Sequence, residues 1–557
     1  MQVTTLSFVF LYFQFCFVSH GQVIKISNGP IIGEEYDNFY AYRGIRYAQP
    51  PIGELRLAPP QPYVETWTET REFKNFGFEC STYTHIGYVY EGNEDCLFLN
   101  VYVPKTAATS AEKLPVLFNV HGGCFMFGSG NGYSPENIMS SQNMILVTIN
   151  YRLGILGFLS TEDDVIPGNF GLKDQVEALK WVQTNIEAFN GDAGRVMIMG
   201  NSAGGSSVHF HYMSKLSDGL FNNGFSHSGT VLVPWTIVQK PREKAHRVAA
   251  LANCSEESRV LLNCLRQLPV EELAVIAKHF QPFLYNPFTP FGPVVEPPSI
   301  GAFLSEHPIV LLTEGRTKNL PWFSSTVQDD GLYPGAEFYS DNHLSIINEN
   351  WLEYAPFILV YNDTISDLEK KQQIALDIKE HYMGIQPITE RNFGAFNDIL
   401  TDRLFKHGAI LAVQLQSRYS PSYFYHYRFK TQAGYFWHTD DEIGIDHGSD
   451  VFLVSSSPRD YSEDERIVIK NFVDMFYNFA ATSTAVYGYI TVENSVPGDL
   501  KALEINTGTD YKMVQLDEEF GQIHFWNEID EKLTSDGTLQ HSLFGVMAMF
   551  TLVVIRN

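Results

Sequence analysis

Neither end of the chain carries an apolar run long enough to cross a bilayer: residues 6–18 and 543–555 are the stretches in question, and both are too short. Positive charge is scarce, with 38 Lys and Arg against 64 Asp and Glu, and the formal net charge is -26. Phosphate is repelled by such a surface, which excludes nucleic acid and anionic membrane as natural partners. There are six cysteines in 557 residues, no low-complexity tract and no internal repeat. A content of 44% hydrophobic and 14% aromatic residues instead describes a globular chain with a large core. No linker divides it, so residues 22–534 are expected to form a single folded domain.

The two ends read differently from the middle. Residues 1–21 have the character of a secretory signal, an apolar stretch ending in Ser19, His20 and Gly21, although a basic leading segment is lacking. Residues 535–557 combine a small-residue cluster, a short polar spacer and a hydrophobic end, the layout of a lipid-anchor attachment signal; a terminal helix packed on the domain is the alternative. Beyond Cys16 in the leader, Cys80 with Cys96 and Cys254 with Cys264 would each close a modest loop, leaving Cys124 unpaired. Asn253 and Asn362 head glycosylation sequons, usable in a secreted protein.

Proline and glycine crowd residues 42–62 and predict an extended surface segment without regular structure over most of its length. In residues 94–104, Leu97, Leu99, Val101 and Val103 alternate as in a half-buried strand. Buried strands are predicted at 116–120, 144–149 and 196–199, and a helix at 172–189 from the spacing of Leu172, Val176, Leu179, Val182 and Ile186. Strands alternating with helices point to an α/β fold: a mostly parallel central sheet with helices on both faces. The aromatic and proline-rich stretch 282–298 reads as ordered loop, its rings mostly core.

Residues 195–208, RVMIMGNSAGGSSV, carry the chemistry. An apolar run stops at Gly200, and Ser202 stands between Gly200 and Gly204 in a G-x-S-x-G pattern, in which a strand turns sharply into a helix and exposes a strained serine. An ordinary serine at a strand-to-turn junction would fit the pentapeptide equally.

Seven blocks settle the context: YRGIRYAQPPIG, EDCLFLNVYVP, HGGCFMFGSG, VTINYRLGILGFLS, GNFGLKDQVEALKWVQTNI, MGNSAGGSSVH and SHSG. In this order they resemble the type-B carboxylesterases, the carboxylesterase/cholinesterase group with the α/β-hydrolase fold. FTPFGPVVE, QDDGLYPGAEF and GIDHGSD extend the likeness to residue 450, and FTPFGPVVE with YNDTIS looks most like insect carboxylesterases of the aphid type.

The resemblance implies a serine esterase working through an acyl-enzyme, with no metal and no organic cofactor, on small-molecule esters. Ser202 is its nucleophile. His447, in IDHGSD, is the base, with His438 as the rival. Asp330 is the acid, where glutamate is usual in the family, and Asp329 is the alternative. The glycine loop of Gly122, Gly123 and Cys124 would supply oxyanion donors from Gly123 and Cys124, joined by Ala203 after the nucleophile. Cys124 stands where the family has glycine or alanine, and its thiol narrows the space beside the carbonyl. Asn201 replaces a frequent glutamate, which weakens the case for a cationic choline ester. Ser228 matches a supporting serine. A slow, sequestering esterase and a non-catalytic adhesion protein on the same scaffold are the competing functions. The expected substrates are apolar, uncharged esters such as xenobiotics, hormones or pheromones.

Overall fold

The computed structural model of the chain describes residues 22–141, 143–431, 443–517 and 519–534; the expected signal at 1–21, His438 and the tail at 535–557 lie outside them. Short apolar runs punctuated by Gly, Pro and Asn form strands, and eleven of these build one sheet. In chain order they are β1 (Glu34–Glu35), β2 (Phe39–Arg46), β3 (Phe98–Pro104), β4 (Leu114–Val120), β5 (Ile145–Ile149), β6 (Gly191–Asn201), β7 (Asn223–His227), β8 (Trp322–Val327), β9 (Ser422–Tyr427), β10 (Lys501–Ile505) and β11 (Tyr511–Gln515). Across the sheet they run β11-β10-β9-β8-β7-β6-β4-β5-β3-β2-β1. From β10 to β5 all neighbours are parallel. β11 at one edge and β3, β2 and β1 at the other are added antiparallel.

Successive strand residues face opposite sides, and both sides are covered. β4 sends Val116, Phe118 and Val120 into one buried cluster and Leu117 into the other; β6 divides Val196 and Ile198 from Met197 and Met199 in the same way. Helices α1 (Phe170–Asn185) and α2 (Ala203–Met213) contribute Leu172, Val176, Leu179, Val208 and Phe210 to the first cluster. Of the two later helices, α3 (Ser449–Ser455) and α4 (Glu463–Thr482), the longer places Phe472, Phe476 and Phe479 in the second.

Two sequence expectations differ from the fold, and a third, the helix over 172–189, is present with a change of geometry near its end. β3 is buried along its whole length, not half-buried, because a central strand covered on both faces buries its polar-facing side too. The proline-rich segment is not all surface: Tyr42 and Ile45 lie fully buried in β2, which continues through a register shift at Gly44, whose φ of 70° favours glycine. The helix expected over 172–189 is α through Asn185 and tightens to 3₁₀ geometry at Ile186–Phe189.

Two family blocks are tied together by side chains. Asn169 donates to Val294 O and to Glu296 Oε1, both at 2.8 Å, and Lys173 Nζ bonds Glu296 Oε2 at 2.6 Å. These bonds anchor the loop at 282–298 to the start of α1.

On α2, His209 and His211 are fully buried, and burial pushes each down from 6.5 to about 3. An unfolded chain protonates both below the ordinary value while the folded chain does not, so stability is full above pH 6.5 and declines as the pH falls toward 3. At pH 5 each histidine is expected to cost about 2 kcal/mol relative to pH 8. Urea unfolding at pH 8 and pH 5 checks this, with His211→Gln flattening part of the difference.

Candidate active site

β6 leads into α2 through Ser202, whose φ of 59° and ψ of -121° lie outside the ordinary regions for an L-residue. So tight a turn is possible only because the flanking residues lack side chains. A Cβ on Gly204 would stand 2.1 Å from Val120 O, and one on Gly200 would stand 2.5 Å from Gly204 C. Ser202 N donates to His227 O at 2.8 Å, fixing the turn to the end of β7.

His447 and Asp330 come together from segments 117 residues apart. The ring stands just before α3, and Asp330 stands after β8. Nδ1 of His447 lies 2.7 Å from Asp330 Oδ1, so the shorter aspartate does span the distance to the ring. The other carboxylate oxygen accepts from Ser228 Oγ at 3.0 Å and from Val327 N at 2.8 Å. Asp330 is wholly buried and His447 nearly so. Nε2 of His447 is buried with no hydrogen-bond partner among the described residues. Asp329 is engaged elsewhere: its Oδ2 accepts from Ile445 N at 2.9 Å, and burial raises its pKa above the usual carboxylate value.

The loop after β4 carries Gly122, Gly123 and Cys124. Gly123, Cys124 and Phe125 have φ of 106°, 58° and 59°, and the tight turn they make is closed by Met126 N and Phe127 N donating to Gly123 O at 2.8 and 2.9 Å. Among the described residues the N–H groups of Gly123 and Cys124 make no hydrogen bond, and that of Ala203 lies in the first turn of α2, where helices leave donors free. Preceding them, His121 stacks on Tyr151 at 4.3 Å and its Nδ1 lies 2.8 Å from Gly122 O. Burial holds His121 down at about 4, so it remains neutral. Asn201 packs beside Gly448, where an added Cβ would meet its amide nitrogen at 3.0 Å.

Ser202, His447, Asn201 and the residues of the glycine loop line one cavity of about 390 Å³. Tyr333, Phe127, Tyr133 and Phe452 complete much of its wall, and among the described residues it is lined by no Lys, Arg, Asp or Glu. None of these four aromatic residues was read from the sequence as part of a site, since the wall joins the segment after β4, the turn after β8 and α3, which are remote in the chain.

Cys80–Cys96 and Cys254–Cys264 are joined as disulfides, and Cys124 is free and buried. Asn253 is exposed; Asn362 is half-buried, with its side-chain oxygen 2.9 Å from Lys371 Nζ. No described helix is long and apolar enough to cross a membrane.

Comparison with known proteins places this geometry in a lineage. The carboxylesterase family matches residues 20–525. Venom carboxylesterase-6 of Apis mellifera is 36% identical, over 95% of this chain and 99% of its own length. Esterase-5A of Drosophila pseudoobscura pseudoobscura is 35% identical over 85% of this chain and 90% of its own. The crystal structure of juvenile hormone esterase from Manduca sexta, solved with OTFP covalently attached, superposes with a TM-score of 0.80 at 26% identity, covering 91% of this chain and 99% of that one.

Proposed function

The chain belongs to the carboxylesterase family and is a carboxylic ester hydrolase of the α/β-hydrolase fold, and from that premise we propose that Ser202, His447 and Asp330 carry the reaction. The observation that supports this most is His447 itself. One ring nitrogen is held by a buried carboxylate, and the other is unpartnered on the cavity that Ser202 lines. A nitrogen kept out of water and without a partner is a base waiting for a hydroxyl proton.

In the proposed sequence, Ser202 Oγ attacks the ester carbonyl carbon while its proton passes to His447 Nε2. Asp330 holds Nδ1–H and stabilises the imidazolium. The carbonyl oxygen takes the developing charge and is held by the N–H groups of Gly123, Cys124 and Ala203. Collapse of the adduct breaks the bond to the alkoxy oxygen, which leaves as the alcohol with the proton from His447. Water, deprotonated by the same nitrogen, then releases the acid and restores Ser202. Ser228 assists by holding the second oxygen of Asp330.

The cavity wall favours uncharged, largely apolar esters, since its described residues, with Phe127, Tyr133, Tyr333 and Phe452 among them, offer no fixed charge to a cationic or anionic substrate. Two disulfides and a family of insect esterases fit an extracellular protein, for which the leader at 1–21 would be the export signal. A lipid anchor at 535–557 stays a proposal of the same kind.

Diethyl p-nitrophenyl phosphate tests the assignment. One equivalent of p-nitrophenolate per protein, with the diethylphosphoryl mass on the peptide containing Ser202, is expected. Label on another residue, or none, would overturn it.

A further inference from the structure

A second cavity, of about 460 Å³, lies apart from the catalytic one, and among the described residues none lines both. Its volume falls within the range of small-molecule sites, about 300–1,000 Å³. Two rings stand between it and the proposed base. Trp235, on the wall of the second cavity, has its ring 6.1 Å from that of Phe405, which in turn lies 4.6 Å from the ring of His447. Exposure gives the second cavity a depth. Val231, Val233, Trp235 and Phe280 are buried, whereas Lys240, Glu243, Arg247 and His279 are exposed. The deep side is therefore mainly apolar, and the charge is concentrated at the mouth.

Most of these charges are already paired. Arg403 Nη1 binds Asp530 Oδ1 at 2.8 Å, Lys244 Nζ lies 3.1 Å from Asp363 Oδ2, and Lys240 Nζ lies 3.8 Å from Glu243 Oε2. Burial holds His307 down at about 4, so it stays neutral near pH 7. Arg247, on the helix Pro241–Leu251, is different: among the described residues no carboxylate lies within ion-pair distance of it. Its place is nevertheless fixed. Nη2 donates to His279 O, and the guanidinium lies 4.7 Å from the centre of the Phe280 ring. A guanidinium held against an aromatic wall without a counter-ion, in a chain of net charge -26, is a ready receptor for an anion.

The chemistry of the anion follows from what is free to bind it. A carboxylate matches the guanidinium fork with two parallel N–H···O bonds. A doubly charged phosphate calls for a second free cation, and both lysines are committed to carboxylates. We propose that this cavity is a second, non-catalytic site for the anion of an apolar monocarboxylic acid, with the carboxylate at Arg247 and the hydrocarbon chain running inward against Phe280 and Trp235. Each half of such a ligand then meets its own part of the wall, the charged head at the exposed mouth and the chain on the buried side. The site stands whichever residue is the nucleophile of the esterase.

Calorimetric titration with decanoate tests it, on protein first inactivated with diethyl p-nitrophenyl phosphate so that the catalytic cavity is occupied. One equivalent of decanoate is expected to bind, about tenfold or more tightly than decanol, which lacks the charge, or acetate, which lacks the chain. Arg247→Ala is expected to weaken decanoate binding by about tenfold or more, and Arg247→Lys by a few-fold, because an ammonium keeps the charge without the fork. Ile237→Trp, which fills the cavity from a half-buried position on its wall, should weaken decanoate and decanol alike. Hydrolysis of p-nitrophenyl acetate by these variants before inactivation should match the wild type, since neither residue lines the catalytic cavity; that also shows that they fold. Three results would each overturn the proposal: no binding of decanoate to the inactivated protein, decanol bound as tightly as decanoate, or decanoate binding unchanged in Arg247→Ala.

Discussion

Ser202→Ala is expected to lower kcat/KM for p-nitrophenyl acetate by about a millionfold, leaving a slow residue of catalysis from the oxyanion donors alone. The reason is chemical, not structural. The hydroxyl makes none of the bonds that fix the turn: Ser202 N holds His227 O, and close backbone packing at Gly200 and Gly204 does the rest. Alanine occupies the same φ of 59° with the same strain, so the melting temperature should hardly change. Stopped-flow mixing of the wild type with the ester should give a burst of one p-nitrophenolate per protein, absent in the variant. The steady rate after the burst separates an enzyme that turns over from one that mainly sequesters, because it reports release of the acyl group by water. A burst that survives in Ser202→Ala would remove this residue from the mechanism.

The second large effect is expected at Asp330. With asparagine there, Val327 N–H and the Ser228 hydroxyl still require an acceptor, and the amide oxygen is the one that can serve them. The amide NH₂ is then turned toward His447 Nδ1, which must accept instead of donate. The ring proton moves to Nε2, the nitrogen that receives the proton of Ser202 in the proposed mechanism. A loss of about 10⁴ in kcat is expected from this wrong tautomer. Circular dichroism and melting temperature should stay near wild type, since the side chains are isosteric. Asp329→Asn is the matched control. Its carboxylate accepts Ile445 N–H, a bond that an amide oxygen reproduces, so activity should fall by less than about tenfold. Equal losses in the two variants would mean that the acid has been misassigned between these neighbours.

How much of this could be read from the chain depends on how local each signal is. The elbow is local. A strand, a serine and two glycines are contiguous, and the close approach that demands glycine lies within the same few residues and the end of β4. The parallel sheet followed from runs whose period is short enough to appear in a ten-residue window. The extent of burial did not follow, and β3 shows why: alternation reports which side chains share a face, whereas what covers each face is decided by helices far away in sequence. β2 was obscured for a related reason. Gly44 reads as a breaker in the sequence, but in the sheet it is the one residue that lets the strand shift register and carry on.

The sequence by itself determined the class of chemistry and the residue types available for it. A serine in a tight turn, proposed as the nucleophile, a histidine and a carboxylate in later segments, and a glycine-rich loop are each encoded within short stretches. Tertiary structure alone decided which carboxylate meets the histidine. Asp329 and Asp330 are adjacent and chemically alike, and only the direction of the turn after β8 sends one to His447 Nδ1 and the other to Ile445 N. It also decided the shape of the cavity, because Phe127 and Tyr133 from the segment after β4, Tyr333 from beyond β8 and Phe452 on α3 line it together with Ser202. A side chain's type is a property of the chain, whereas its neighbours are a property of the fold. Selectivity depends on neighbours.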